Sequence, residues 1–409
     1  EGGDFRRFFC RDILILSPGM LPERGRFPAE KRGDSIGQKW VPGTQRVEGV
    51  FVYFFKGGHE VKRKLIRAGL MALFCISVFS GASFAKDIVL RLSDHDVLGG
   101  LKGQIGTFWF NEIEKQTGGK VKIKAYWGGT LFSAEEQLKA LSDGVVDIAA
   151  IYPDFYPKQL PLFGAFWLFP KGPENWENIR WIYKESIAKI PEFDRELKDA
   201  GVKILLMENG LPMSYMARYP ITSLKDIKGK KWRAGDRWNL KLLENQGAVA
   251  ISVPWGDCYM ALETGTVDGI VSNYDGMHRQ KFDEPAKNIL AGKAIGWSQP
   301  MFYCINQEKW DSIPKDLQEG ILKATEITEK AFGDMYNGEF NRIVEAEKKA
   351  GCTVNFYSPE DVDSWADEKC LEGLREIFCT ELQDDGIENS REMLKQMKAI
   401  IDEGIAKEK

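Results

Sequence analysis

Arg233 closes the run Lys230-Lys231-Trp232-Arg233-Ala234, and its side chain sets the first chemical expectation. A planar guanidinium presents a fork of donors that fits a carboxylate through two bonds, each stronger than a neutral hydrogen bond. At the end of a strand facing a cleft, Arg233 would hold an organic anion. On an open surface it would form an ion pair of small energetic weight. Arg237 and Trp238 follow within one helical turn, where they would flank or stack on a ligand, with core packing the competing role for Trp238. Asn273 ends an apolar stretch and offers both a donor and an acceptor, or serves only to make a turn.

Other chemistries find less support. His95 lies between Asp94 and Asp96, yet no second cluster sits at metal spacing, so neither a metal nor a cofactor is expected. Gly-x-Ser-x-Gly, a phosphate loop, a dinucleotide glycine turn and a cysteine zinc pattern are all missing from the sequence. A secreted hydrolase or lyase would have to draw on Asp268, Asp275 or His278, and no spacing brings these into an acid–base pair.

The elements that would position these residues come from an internal repeat. Gly119-x-Val121-x-Ile123 followed by Trp127-Gly128 recurs as Gly247-x-Val249-x-Ile251 followed by Trp255-Gly256. Ala140-Leu141-x-x-Gly144-x-Val146-Asp147 recurs as Ala261-Leu262-x-x-Gly265-x-Val267-Asp268. Each copy reads as strand, turn, amphipathic helix and second strand, with the glycine at the helix stop. Asp147 and Asp268 therefore follow from the repeat rather than from catalysis. Two such units make two α/β lobes of like construction, a clamshell that closes on a small solute.

Around the repeats, residues 87–93 alternate as a first strand that empties into Ser93-Asp94-His95-Asp96, placing His95 at a carboxyl end, where α/β sheets bind ligands. Residues 101–117 form a helix. Ile151-Tyr152-Pro153-Asp154-Phe155-Tyr156 is an aromatic loop at another strand end, which brings in Tyr152 and Phe155. Residues 174–200 and 275–288 read as helices, and 202–207 and 301–305 as strands. From Pro314 to Gly351 one charged helical stretch carries Leu317, Ile321, Ala324, Ala331, Met335, Ile343 and Ala346 near one face, with Gly333 and Gly338 as bends. At 1.5 Å per residue it would reach roughly 55 Å, enough to span both lobes. Helices over 359–382 and 388–406 complete the chain, and one disulfide is expected among Cys352, Cys370 and Cys379.

The front of the chain is of another kind. Val61-Lys62-Arg63-Lys64, an apolar run to Phe79 and small residues ending at Ala85 make a secretory signal over 61–85, too short to span a membrane. Residues 1–60 read as untranslated leader carried in frame, or as a disordered extension. The whole chain has a net charge of −4, and its basic excess lies in the front, so the body is acidic and unsuited to nucleic acid.

With these residues assembled, the chain resembles the extracytoplasmic solute receptors of TRAP (tripartite ATP-independent periplasmic) transporters, of the dicarboxylate-receptor-like family. The resemblance covers most of 86–409. Its most specific part runs from Ser223-Leu224-Lys225-Asp226-Ile227-Lys228-Gly229 through Lys231-Trp232-Arg233 to Ala261-Leu262-Glu263-Thr264-Gly265-Thr266-Val267-Asp268-Gly269. It implies an α/β, two-lobed periplasmic solute-binding (Venus-flytrap) fold with a long helix spanning both lobes. Lobe I is expected over 86–210 with 299–335 returning to it, lobe II over 211–298, and C-terminal helices across the lobes from 336 to 409. By the same likeness Arg233 forms the carboxylate salt bridge, Asn273 or Ser272 touches the ligand, and Tyr152 lines the pocket. A second arginine that many such receptors carry is replaced here by Leu211-Pro212-Met213, with Arg218 out of register, which favours a monocarboxylate with an apolar or aromatic body. The expected role is capture of a small organic acid in the periplasm by a monomer that is not inserted in the membrane, followed by delivery to TRAP permease subunits without catalysis. A sensory receptor and a secreted hydrolase or lyase are the alternatives.

Overall fold

The computed structural model describes residues 87–298 and 300–408, together with the backbone of an antiparallel hairpin, Gly43–Val47 with Val50–Phe54, which belongs to a separate unit. The expected signal segment and the rest of 1–60 lie outside the described residues.

The body holds two mixed sheets. In the first, the order is Val121–Tyr126, Ile88–Ser93, Ile148–Ile151, Pro300–Asn306, Val202–Asn209. In the second it is Thr353–Phe356, Asn288–Ala291, Met213–Ala217, Gly269–Asn273, Lys231–Ala234, Val249–Ser252. The repeat explains their likeness. In each sheet the two repeat strands flank, in parallel, a strand that precedes them in the chain. Asp147 and Asp268 do the same job in the two copies. The Arg91 amide donates to Asp147 at 2.8 Å and the Lys231 amide to Asp268 at 2.9 Å, each fastening the repeat's second strand to the central one.

The long helix, Lys315–Lys349, runs unbroken for about 52 Å at the standard rise. Its first half closes one face of the first sheet with Leu317, Ile321 and Ala324, and the Trp109 indole donates to Thr325 at 3.0 Å. Its second half reaches the other lobe, where Phe340 packs its ring 5.4 Å from that of Tyr274. The fold is thus a two-lobed α/β binding fold with one helix across both lobes. Beyond Ala324, Ile343 is buried as expected, but it is joined by Phe332, Tyr336 and Phe340 rather than by Ala331, Met335 and Ala346, because the larger rings claim the core. The helix continues without a break at Gly333. A Cβ there would lie 2.2 Å from Glu177, so glycine permits the close approach of the helix Trp176–Lys189.

Several local expectations need correction. Residues 174–200 form two helices, Trp176–Lys189 and Pro191–Asp199, because a proline lacks the amide that would continue the first. The helix expected over 275–288 stops at Arg279, and Asn288–Ala291 is a strand. Met213–Ala217 and Thr353–Phe356 are strands with no counterpart in the sequence reading. Cys352, Cys370 and Cys379 are free thiols, as are Cys258 and Cys304, so the expected disulfide is not formed.

Candidate functional site

The parallel strands of both sheets point their carboxyl ends at one cavity of ≈ 40 Å³, into which His95, Tyr152, Phe155, Arg233, Ser272 and Asn273 all converge. Sequence reasoning named each of these. Arg237 and Trp238 border an adjoining groove of ≈ 330 Å³ that shares Phe155 and Arg233. There Arg237 pairs with Glu381 and lies 4.1 Å above the Trp238 ring, while Trp238 is buried against Phe378.

Arg233 is 2% exposed, and its Nε donates to the Val253 carbonyl at 3.0 Å. Its guanidinium lies 5.4 Å from the centre of the Trp255 ring, a cation–π arrangement. Gly235 makes room, since a Cβ there would sit 3.3 Å from both terminal nitrogens. No carboxylate among the described residues is within ion-pair distance of Arg233, and burial lowers its pKa against the pull of Cys258 and Asp236.

A second guanidinium, Arg279, enters from the helix Tyr274–Arg279 and was missed in the sequence. Its Nη2 donates to Asp96 at 2.6 Å, and its Nη1 lies 3.4 Å from Asp275. Asp96 also accepts from Tyr152 at 2.7 Å and from the Trp255 indole at 3.0 Å. Burial opposes its ionisation, but Arg279 above all holds Asp96 below the usual carboxylate range. Behind it Lys102 donates to Glu208 at 2.6 Å and lies 3.4 Å from Asp94, which accepts from Tyr303 at 2.8 Å.

His95 is packed edge-on to Tyr152 at 4.5 Å and Phe155 at 5.6 Å, and burial lowers its pKa, so it is neutral near pH 7. Both its ring nitrogens are buried without a hydrogen-bond partner. In a polar cavity such atoms are handles for a ligand. Asn273, by contrast, is engaged locally, donating to Asp275 at 3.0 Å and accepting from Ser272 at 3.1 Å.

Two carboxyl groups complete the lining. Asp154 accepts from the Trp167 indole at 2.8 Å, and Asp236 caps the helix Arg237–Asn245 by accepting from the Trp238 and Asn239 amides. Burial, and then each other's charge, pushes Asp154 well up, and burial raises Asp236. Asp236 carried a visible signal, an acidic residue just before an amphipathic helix. Asp154 lay in the aromatic loop read at a strand end, whereas Arg279 carried no such signal. Of the residues a hydrolase would have drawn on, Asp268 ties strands together and His278 bonds Glu347 at 2.6 Å, and neither lines the cavity.

The family model described as bacterial extracellular solute-binding protein, family 7 (DctP) matches residues 101–377. The C4-dicarboxylate-binding periplasmic protein DctP of Rhodobacter capsulatus is 28% identical over 307 residues, covering 71% of this chain and 86% of that protein. The 2,3-diketo-L-gulonate-binding periplasmic protein YiaO of Escherichia coli K12 is 23% identical over 249 residues, 60% of this chain and 74% of the other. Among solved structures, a marine metagenome TRAP solute binding protein specific for aromatic acid ligands, in complex with 3-hydroxybenzoate, superposes with a TM-score of 0.69 at 21% identity, covering 78% of this chain and 99% of its own. A TRAP periplasmic solute binding protein of Desulfovibrio salexigens with bound orotic acid gives 0.69 at 17% identity, over 78% and 100%. At these identities the structures speak for the fold. No helix among the described residues is long and apolar enough to cross a membrane.

Proposed function

We propose, from the premise that this chain belongs to the bacterial extracellular solute-binding proteins of family 7 and is a TRAP solute receptor, that it captures a small organic acid with a single carboxylate and passes it on unaltered. One observation carries the reading. Arg233 is a buried guanidinium in the cavity lining with no carboxylate of the described residues in ion-pair reach. A buried charge without a counter-ion is costly, and a ligand carboxylate supplies the missing one.

The remaining charges argue for one carboxylate rather than two. Arg279 is already neutralised by Asp96 and Asp275, which leaves Arg233 as the guanidinium of the cavity lining that has no carboxylate of the described residues. The rings of Tyr152, Phe155, Trp167 and Trp255 and the neutral His95 suit a flat, apolar or aromatic body. The solved relatives with 3-hydroxybenzoate and orotic acid are in keeping with such a ligand, whereas the relative named for C4-dicarboxylates has two carboxylates to place.

The work is done by closure rather than by chemistry. Arg233, Ser272 and Asn273 come from the second sheet, and His95, Tyr152 and Phe155 from loops of the first. A ligand that touches both sets prefers the closed form and shifts the balance by that preference alone. The family likeness further supports a periplasmic receptor that delivers to a membrane permease. A thermal-shift screen of mono- and dicarboxylic acids, followed by calorimetry, tests this. An aromatic or apolar monocarboxylate should raise the melting temperature. A preference for dicarboxylates would overturn the single-carboxylate reading, and turnover of the bound acid would overturn the receptor.

A further inference from the structure

We propose that the second lobe holds a site for a divalent transition metal of the zinc type, formed by His278, Asp283, Glu347 and Cys352, none of which lines the organic-acid cavity. The imidazole of His278 and one carboxylate oxygen each of Asp283 and Glu347 lie within 4.8 Å of one another. The Cys352 thiol sits 3.5 Å from the other Glu347 oxygen and 3.9 Å from the Asp283 carbonyl. The donors come in two pairs of equal spacing, His278-x4-Asp283 and Glu347-x4-Cys352, the first from the helix Tyr274–Arg279 and the turn after it, the second from the end of the long helix and the turn beyond.

The corner gathers two carboxyls and a thiol around one imidazole, with Lys287 and Arg342 acting on it but not paired to Glu347. The Glu347 side chain is fully buried (0% exposed) and, among the described residues, has no Lys or Arg within ion-pair distance. A second carboxyl and a thiol crowd it, and one imidazole at 2.6 Å is its only ion-pair partner among those residues. An independent observation points the same way. Tyr274 is 0% exposed, its hydroxyl has no hydrogen-bond partner, and burial first, then the charges of Glu347, Cys352 and Asp283, push its pKa up. The intervening turn is also held in a shape of its own. Lys281, at φ 60°, is the one non-glycine residue with left-handed backbone among those described.

Mixed nitrogen, oxygen and thiolate donors suit zinc better than calcium or magnesium. Bonds of about 2.0–2.3 Å would set tetrahedral donors roughly 3.3–3.7 Å apart, so the His278, Asp283 and Glu347 atoms must close in by about 1 Å and the Cys352 sulfur, which lies outside that group of three, must move further. On binding, the His278–Glu347 hydrogen bond opens, Nδ1 turns its lone pair to the metal with the ring proton on Nε2, and the Cys352 proton leaves to solvent. The ion would then pin the end of the long helix to the helix that carries Arg279.

Titration of the chelator-stripped protein with Co²⁺ and then Zn²⁺ tests the site. The expected result is one equivalent bound, a thiolate-to-cobalt charge-transfer band that zinc displaces, and a higher melting temperature with zinc. Cys352→Ser should remove the band, and His278→Ala should weaken binding at least about tenfold. Should His278→Ala fail to fold, Asp283→Asn, at a half-buried position, serves in its place. Arg233→Ala should leave metal binding intact, which separates this site from the organic-acid reading. Failure to bind an equivalent of either metal, or a band that persists in Cys352→Ser, overturns the proposal.

Discussion

Arg279 Nη2 stands 2.6 Å from Asp96 Oδ2, both side chains almost wholly buried, and the pair joins a helix that follows the second sheet's strand Gly269–Asn273 to a loop of the first sheet. The Trp255 indole, also from the second lobe, donates to the other oxygen of the same carboxylate. Asp96 is therefore a latch that holds the lobes together at the edge of the cavity.

Removing one side of that latch should favour the open form. Asp96→Asn leaves Arg279 with Asp275 alone, and breaking a buried pair costs about 3–5 kcal/mol. Small-angle scattering should report a larger radius for the variant, and calorimetry a weaker ligand. Pairing it with Arg279→Gln in a double-mutant cycle should recover part of the loss.

Arg233 should behave differently, because under the proposed function its partner is the ligand. Arg233→Ala should weaken acid binding by about 2–5 kcal/mol, roughly 30-fold to several-thousand-fold in Kd. The ligand-free protein should melt at the same temperature or higher, since a desolvated charge has been taken out. Arg233→Lys should rescue little, because an ammonium lacks the planar fork. Calorimetry with the best acid from the screen decides.

Lys102 holds Glu208 and Asp94 apart in the wall behind the latch, with its ammonium 4.7 Å and 4.8 Å from the rings of Tyr152 and Tyr303. Lys102→Met should destabilise the protein by about 3–5 kcal/mol in urea denaturation, because two carboxyls are left buried without their cation. Adding Glu208→Gln should restore part of it.

Glu196 predicts a pH effect. One oxygen accepts from the Leu162 amide at 2.9 Å, the other is buried without a partner, and burial pushes its pKa up to about 8. A carboxyl raised above its unfolded value favours the fold while protonated. Its contribution is present in full below an unfolded pKa of about 4.3 and is lost as pH rises through about 8, with a slope of at most about 1.4 kcal/mol per pH unit. Denaturation between about pH 5 and pH 9 should show this decline, and Glu196→Gln should flatten it.

The two lobes were legible because each repeat carries its own local signals: alternating strands, a glycine helix stop and an aspartate that opens the next strand. Arg233 could be picked out because it lies near the end of the short strand Lys231–Ala234, which precedes the second repeat. The strand Met213–Ala217 could not, since all five of its residues are buried and no alternation marks it. Thr353–Phe356 escaped because four residues between helices leave too short a pattern.

By itself the sequence determined two matching α/β units and a helix long enough to cross both, because each of these is written in residues near one another in the chain. Only the tertiary structure decided how the remaining charges are spent. Asp96 and Arg279 stand 183 positions apart, and Glu347 meets His278 across 69. Partners so far separated leave no periodic trace, and whether a charge is neutralised or left open depends on which chain segments the fold brings to its side.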